Sequence, residues 1–292
     1  MEPGVALIGF GEAGQAFALA GAWGDRARAY DKLTDSPETR AGKISDYQCM
    51  GITPALSMQE AVEAARVVLS LVTAQESLKA AHQAAPHLLP GALFCDMNSV
   101  SPQTKRRSAA LVEGAGAHYL DVAIMAPVQP ALLEVPLLIS GSRAGEAETA
   151  LSQLGFAKRR VVGARIGHAS AIKMIRSVIV KGLEALTAEA MLAAEAAGVT
   201  EEVLASLDSS EPGRPWAELA DYNLGRMIRH GARRAEEMVE AARTLERLGV
   251  APLCTRATVE WQRQVGSTSV AEPAQGIGAK LEQIRGRKAD AA

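Results

Sequence analysis

The chain has 292 residues, 48% of them apolar and 22% charged, and its 31 Lys and Arg against 33 Asp and Glu leave a formal net charge of −2. That length accommodates about two domains, and a near-neutral chain with only 4% aromatic residues excludes a basic or base-stacking nucleic-acid surface. No uncharged apolar run is long enough to span a membrane, and the three scattered cysteines (Cys49, Cys95 and Cys254) lack metal or disulfide spacing, which fits a reducing, cytoplasmic setting and no bound metal.

In chain order, Val5–Ile8 reads as a buried strand and Ala13–Ala22 as a helix. The apolar N-terminal run is interrupted by Glu12 and lacks a basic leader, so it does not read as a signal peptide. Arg26–Tyr30 is a second strand, and a third lies near Gly51-Ile52. Ser57 and Glu60 form a capping box for a helix over Met58–Ala65. Arg66–Val72 is a strong strand, Gln75–His87 a helix, and Gly91–Cys95 a strand ending at Asp96. Ser101-Pro102 opens a helix, with proline at its favoured first position. His118–Val122 and Pro136–Ser140 are further strands. Strands alternating with helices at this spacing specify βαβ units and a mostly parallel sheet.

After about residue 163 the strand signal stops. Ile166–Ala197 reads as one long helix ending at Gly198, and a helix restarts at Thr200. Ser209–Pro215 is a break. Helices follow over Trp216–Arg229, Ala232–Leu248 and Val250–Val265, and the tail from Gly266 reads as frayed. The expected fold is therefore α/β: a Rossmann-like domain over residues 1–163, then an all-α domain over 164–292 built on a long helix.

Gly9, Gly11 and Gly14 form a Gly-x-Gly-x-x-Gly loop between the first strand and the first helix, the context that gives the motif meaning. Gly9 permits a tight turn, Gly11 lets backbone approach a pyrophosphate, and Gly14 lets helix and strand pack closely. Phe10, Glu12 and Ala13 fill the loop. The helix N-terminus offers free N–H groups and partial positive charge to phosphate. Asp31, twenty residues after Gly11, stands where a carboxylate accepts from ribose hydroxyls, favouring NAD over NADP, although Lys32 beside it softens that preference.

Ligands in open parallel sheets bind beyond the strand C-termini. Val72 and Thr73 fall there as a cofactor lining. So do Asn98 and Ser99, whose short donors and acceptors suit the level of a nicotinamide. Ser101 reads equally well as a plain helix cap. Ala126-Pro127-Val128 follows the sixth strand.

Lys173 lies near the start of the long helix, with Ser177, Val180, Lys181 and Glu184 on the same face and apolar residues around it. Partial desolvation would make its amine a usable acid or base. Pattern alone favours its reaching out to solvent. On a later helix, His230, Arg233 and Arg234 could grip an anion, or pair with Glu236 and Glu237 as a solvated face.

Taken together, Gly9–Gly14, Asp96–Pro102, Asp121–Val128 and the Gly167–Lys173 segment resemble the β-hydroxyacid dehydrogenases, the group of 6-phosphogluconate and 3-hydroxyisobutyrate dehydrogenases. The resemblance implies NAD(P)-dependent oxidation of a small 3-hydroxy acid or sugar-acid-like substrate, or its reverse. It makes Lys173 the general acid/base, with Asn98 and Ser177 assisting. Substrate contacts fall to Ser99, Ala126, Pro127, Val128, Lys173, Ser177, Arg233 and Arg234. A homodimer through the C-terminal helices is also implied.

Several positions depart from the family pattern. Gln129 and Pro130 replace the serine and glycine of the substrate loop, and Asp121 stands four residues further upstream than the family's aspartate. Asn98 stands where the family has serine, and Arg176-Ser177 replaces a pair of asparagines. Val180 replaces the glutamate of the decarboxylating members, so the expected reaction is non-decarboxylating. The alternatives are an imine reductase on the same scaffold and a non-catalytic dinucleotide sensor. Imine reductases generally lack the lysine.

Overall fold

A computed structural model of the chain describes residues 4–210, 213, 215–267 and 272–286. Strands β1 (Val5–Ile8), β2 (Ala27–Tyr30), β3 (Thr53–Pro54), β4 (Val67–Ser70), β5 (Leu93–Asp96), β6 (His118–Ile124), β7 (Leu137–Ser140) and β8 (Arg159–Gly163) form one sheet. Its order is β3-β2-β1-β4-β5-β6-β7-β8. All neighbours are parallel except β6 and β7. β1, β4, β5 and β7 are buried along their whole length, because helices cover both faces of such a sheet.

The helices between strands are α1 (Glu12–Gly21), α2 (Pro37–Cys49), α3 (Met58–Val62), α4 (Ser77–Ala84), α5 (Pro102–Gly114), a single turn α6 (Val128–Ala131) and α7 (Ala144–Gln153). One face of the sheet packs Phe10, Phe17, Trp23, Tyr47 and Phe156. The other packs Ile8, Tyr30, Val62, Phe94 and Tyr119. Then come α8 (His168–Ala197), α9 (Thr200–Ser210), α10 (Trp216–Arg247), α11 (Leu253–Gly266) and α12 (Ile277–Arg285). Their core holds Met191, Leu224, Met227, Val265, Leu281 and Ile284.

The chain forms two compact units, Met1–Met174 and Ile175–Ala292. The division falls inside α8 rather than at the expected 163/164 boundary. The cause is local: backbone N–H groups of Gly167, Ala169 and Ser170 donate to side chains of β6 and β7, which ties the first turns of α8 to the sheet.

Five elements differ from the sequence expectation. α2 and the pair α7–β8 were not expected. The helices expected over Trp216–Arg229 and Ala232–Leu248 are one continuous α10. Gly231 is not a break. A Cβ there would lie 2.4 Å from the Gln262 carbonyl oxygen and 2.7 Å from Gly266 Cα, so the glycine lets α10 and α11 cross backbone to backbone. Beyond Gly266, residues 272–286 include the ordered α12, whose Lys280, Leu281 and Ile284 are buried. Part of the expected Ser209–Pro215 break and the stretches 268–271 and 287–292 lie outside the described residues. Among the described residues, no helix is long and apolar enough to cross a membrane.

Candidate active site

The glycine loop turns sharply after β1. Gly9 has φ +87°, and a Cβ on it would stand 2.7 Å from the Leu71 carbonyl oxygen of the neighbouring strand end. A Cβ on Gly14 would stand 2.8 Å from the Gly9 carbonyl oxygen, so that glycine permits close packing of helix on strand. A Cβ on Gly11 would meet nothing within 4 Å. Gly11 is also the N-cap of α1, and no side chain caps that helix. Its first N–H groups thus face an open cradle, which fits a phosphate. Phe10 is buried, Gly11 and Glu12 are exposed, and Ala13 is half-buried.

Asp31 follows β2 as predicted, and its carboxylate also organises the loop. Oδ2 accepts from Phe10 N at 2.8 Å and Oδ1 from Leu33 N at 3.0 Å. Each oxygen retains a second lone pair for a ribose hydroxyl. Lys32 Nζ lies 3.1 Å from Glu76 Oε1, so an acidic neighbour offsets its charge. From α2, Lys43 donates to the Phe10 carbonyl oxygen at 3.0 Å and to Asp46 at 2.8 Å, bracing the loop from outside.

At the ends of β4 and β5, beside the middle of β6, sits a buried polar network. Asp96, Lys105 and Asp121 are each fully buried. Lys105 Nζ lies 3.0 Å from Asp96 Oδ1 and 3.5 Å from Asp121 Oδ1, and donates to the Asp96 carbonyl oxygen at 2.6 Å. Asp96 Oδ2 accepts from Tyr119 at 2.5 Å and from Ser77 at 3.2 Å. Burial, with Asp96 and Asp121 nearby, raises the Tyr119 phenol well above its ordinary pKa and keeps it a proton donor. Desolvation likewise pushes the Cys95 thiol up to about 12, so it is no nucleophile at neutral pH.

Asn98 is held in this network. Its N–H donates to Asp96 Oδ1 at 2.9 Å, and its Nδ2 donates to Ser70 at 3.0 Å and Ser77 at 3.3 Å. Its Oδ1 is buried without a hydrogen-bond partner. A buried orphan acceptor is costly and is a place for a ligand donor. Ser99 is half-buried. Ser101 caps α5 through Thr104 N at 3.2 Å, the plain structural reading of that residue. Val72 is half-buried and Thr73 exposed at the end of β4.

Ala126 and Val128 are half-buried and Pro127 is exposed in the turn after β6. Lys173 is half-buried, one turn beyond the anchored Ser170. The first unit therefore contains the glycine loop, Asp31, Val72, Thr73, Asn98, Ser99, Ala126–Val128 and Lys173.

Ser177, Arg233 and Arg234 belong to the second unit. Ser177 is buried. Arg234 is buried and both Glu184 carboxylate oxygens accept from it; Gln262 Nε2 also donates to Glu184, at 3.0 Å. Lys181 pairs with Glu237. Arg233 is about half exposed, 3.7 Å from Glu237. His230 is half-buried, and desolvation with Arg226, Arg233, Arg234 and Arg229 nearby lowers its pKa to about 4, so it is neutral at pH 7. The expected basic grip thus contains one arginine already engaged by a carboxylate.

Sequence reasoning missed Lys105, Tyr119 and the hydrogen bonds that Asp121 accepts from the start of α8. A signal for Lys105 was available: the buried residues of α5 are Lys105, Ser108, Ala109 and Val112, spaced i, i+3, i+4 and i+7. Among the described residues, no group of His, Cys, Asp and Glu is suited to a metal ion.

Residues 4–155 match the family model of the NAD-binding domain of 6-phosphogluconate dehydrogenase, and residues 194–265 match a model described as a domain of unknown function. A conserved hypothetical protein from Sinorhizobium meliloti is 37% identical, with 98% of this chain and 97% of that one covered and a TM-score of 0.74. At fold level, the chain is similar to 3-hydroxyisobutyrate dehydrogenase of Mycobacterium tuberculosis (20% identity, 98% and 100% covered, TM-score 0.74). It is also similar to a reductive aminase of Aspergillus terreus (19% identity, 98% and 100% covered, TM-score 0.58).

Proposed function

The chain belongs to the β-hydroxyacid dehydrogenase family, that of the NAD-binding domain of 6-phosphogluconate dehydrogenase, and from that premise we propose that it is an NAD(P)-dependent oxidoreductase of a small 3-hydroxy acid or sugar-acid-like substrate. The observation that carries this reading is the open cradle at Gly11 on the uncapped end of α1, in one compact unit with Asn98 and Lys173.

The bound nicotinamide supplies hydride transfer. The chain's residues do the rest. The Gly9–Gly14 backbone holds the pyrophosphate. Asp31 accepts from the adenosine ribose and repels a 2′-phosphate, which favours NAD. Asn98 offers its unpaired Oδ1 to a donor on the nicotinamide side. Lys173, in its neutral form, takes the hydroxyl proton during oxidation and returns it during reduction. Its ammonium form offsets charge on the substrate oxygen. Ser99 and the Ala126–Val128 turn orient the acid. Val180 leaves no carboxylate where decarboxylating relatives use one, so the reaction ends at the ketone or aldehyde.

The second unit supports a homodimer reading. Ile175, Ile179, Leu183 and Leu186 form an exposed apolar stripe along α8 at i, i+4, i+8 and i+11.

A panel of 3-hydroxy acids, sugar acids and cyclic imines, run with each cofactor and followed at the nicotinamide absorbance, tests the proposal. Turnover of a hydroxy acid supports it. Imine reduction without hydroxy-acid turnover replaces it with the reductase reading, and tight dinucleotide binding without any turnover replaces it with a sensor.

A further inference from the structure

We propose that Asp121, backed by Lys105, is a positioning residue: it holds the first turn of α8 and thereby sets the place of Lys173. The inference rests on the function proposed for Lys173.

An α-helix begins with N–H groups that have no partner inside the helix. At α8 the sheet supplies the partners. Asp121, at the end of the parallel register of β5 with β6, turns Oδ2 toward the helix start. That oxygen accepts from Gly167 N at 3.1 Å, Ser170 N at 3.0 Å and Ser170 Oγ at 3.0 Å. Ser140 Oγ donates to the same oxygen at 3.2 Å and accepts from Ala169 N at 3.1 Å. A carboxylate here also meets the positive end of the helix dipole. Gly167 is required at this join: its φ is +97°, and a Cβ would lie 2.9 Å from Pro102 Cβ and 3.2 Å from the Pro102 carbonyl oxygen.

The carboxylate is fully buried, so its charge needs a counter-charge. Lys105 provides it at 3.5 Å and is itself fully buried. The same ammonium holds Asp96, which in turn fixes the backbone of Asn98. One lysine of α5 therefore joins the two segments that carry Asn98 and Lys173. Two carboxylates and one ammonium leave this trio with net negative charge, directed at the N-terminus of α8. Ser170 is the contact closest in sequence to Lys173, three residues before it and so on the same helical face. A shift at Ser170 moves the amine of Lys173, and misplacement by about 1 Å costs about a hundredfold in rate.

Asp121→Asn keeps the shape but puts an amide where a charged acceptor stood. The expected result is a kcat lower by about a hundredfold and a cofactor Kd changed by less than about twofold. The limb of the pH–rate profile set by Lys173 should also move, and amide hydrogen exchange should rise at 167–173. Ser170→Ala, a milder change that leaves the carboxylate in place, should show the same pattern at smaller amplitude. Faster exchange with kcat and pH profile unchanged in both variants would reduce the network to packing and overturn the inference, as would unchanged exchange in Asp121→Asn. Lys173→Met separates the two claims. Wild-type turnover in that variant sinks the proposed function. An inactive Lys173→Met beside fully active Asp121→Asn and Ser170→Ala sinks only the positioning.

Discussion

Each compact unit buries an ionic network, and the two networks are built to different ends. In the first unit, Asp96, Lys105 and Asp121 spend most of their hydrogen bonds on backbone groups and small side chains of segments that carry candidate site residues. Asn98 Oδ1 and Asp121 Oδ1 lack a hydrogen-bond partner there, as Arg234 Nε and Gln262 Oε1 do in the second unit. In the second unit, charged side chains mainly answer one another across helices: Glu184 with Arg234, joined by the neutral Gln262, and Lys181 with Glu237. A buried pair of that kind fixes helix register without leaving charge for a ligand. Buried charge is thus no pointer to a site unless its partners are also known.

The largest expected effect breaks the second network. Arg234→Ala leaves the Glu184 carboxylate buried and uncompensated, and should cost about 3–5 kcal/mol of stability in denaturant unfolding. Replacing both partners by apolar residues, Glu184→Leu with Arg234→Met, should recover most of that loss. A variant that kept its stability but lost kcat/KM would instead assign Arg234 to the substrate.

Gly231→Ala tests the crossing that brings α10 and α11 together. The added Cβ meets backbone, which has little room to yield, so a loss of about 1–3 kcal/mol is expected, read as a lower denaturation midpoint.

His230 sharpens the comparison through pH. Its pKa falls from 6.5 to about 4 on folding, so the unfolded chain takes up the proton first as pH drops. The associated stability is fully present above about pH 6.5 and is lost as pH falls toward 4. His230→Gln should flatten the stability curve in that window and leave it unchanged above it. The smallest effect belongs to Arg233→Ala: being half exposed, it should alter stability by less than about 0.5 kcal/mol. A raised KM with stability unchanged would assign Arg233 to the substrate.

Local patterns explain what could be read from the sequence. The Gly9–Gly14 loop, the strand alternation and the start of α8 are each written in a few adjacent residues. What could not be read depends on distant partners. Helix α2 is a polar stretch with only Lys43 and Tyr47 buried, so it carries little amphipathic signal. Strand β8 opens on two arginines and has no fully buried residue. Lys105-Arg106-Arg107 reads as a solvated run unless the helical spacing of Lys105 with Ser108, Ala109 and Val112 is followed, and its partners Asp96 and Asp121 lie on other elements. Gly231 resembles a helix break because its packing partner, Gly266, is 35 residues away. Arg234 resembles an anion ligand until Glu184, on another helix, is placed beside it.

The central claim is that Lys173 moves the substrate proton in a nicotinamide-dependent reaction. Its most direct test compares the wild-type chain with Lys173→Met on whichever hydroxy acid the panel identifies, measuring kcat and cofactor Kd in the same preparation. The account predicts a kcat lower by at least about a hundredfold with cofactor Kd changed only severalfold. Near-normal kcat in Lys173→Met would contradict it.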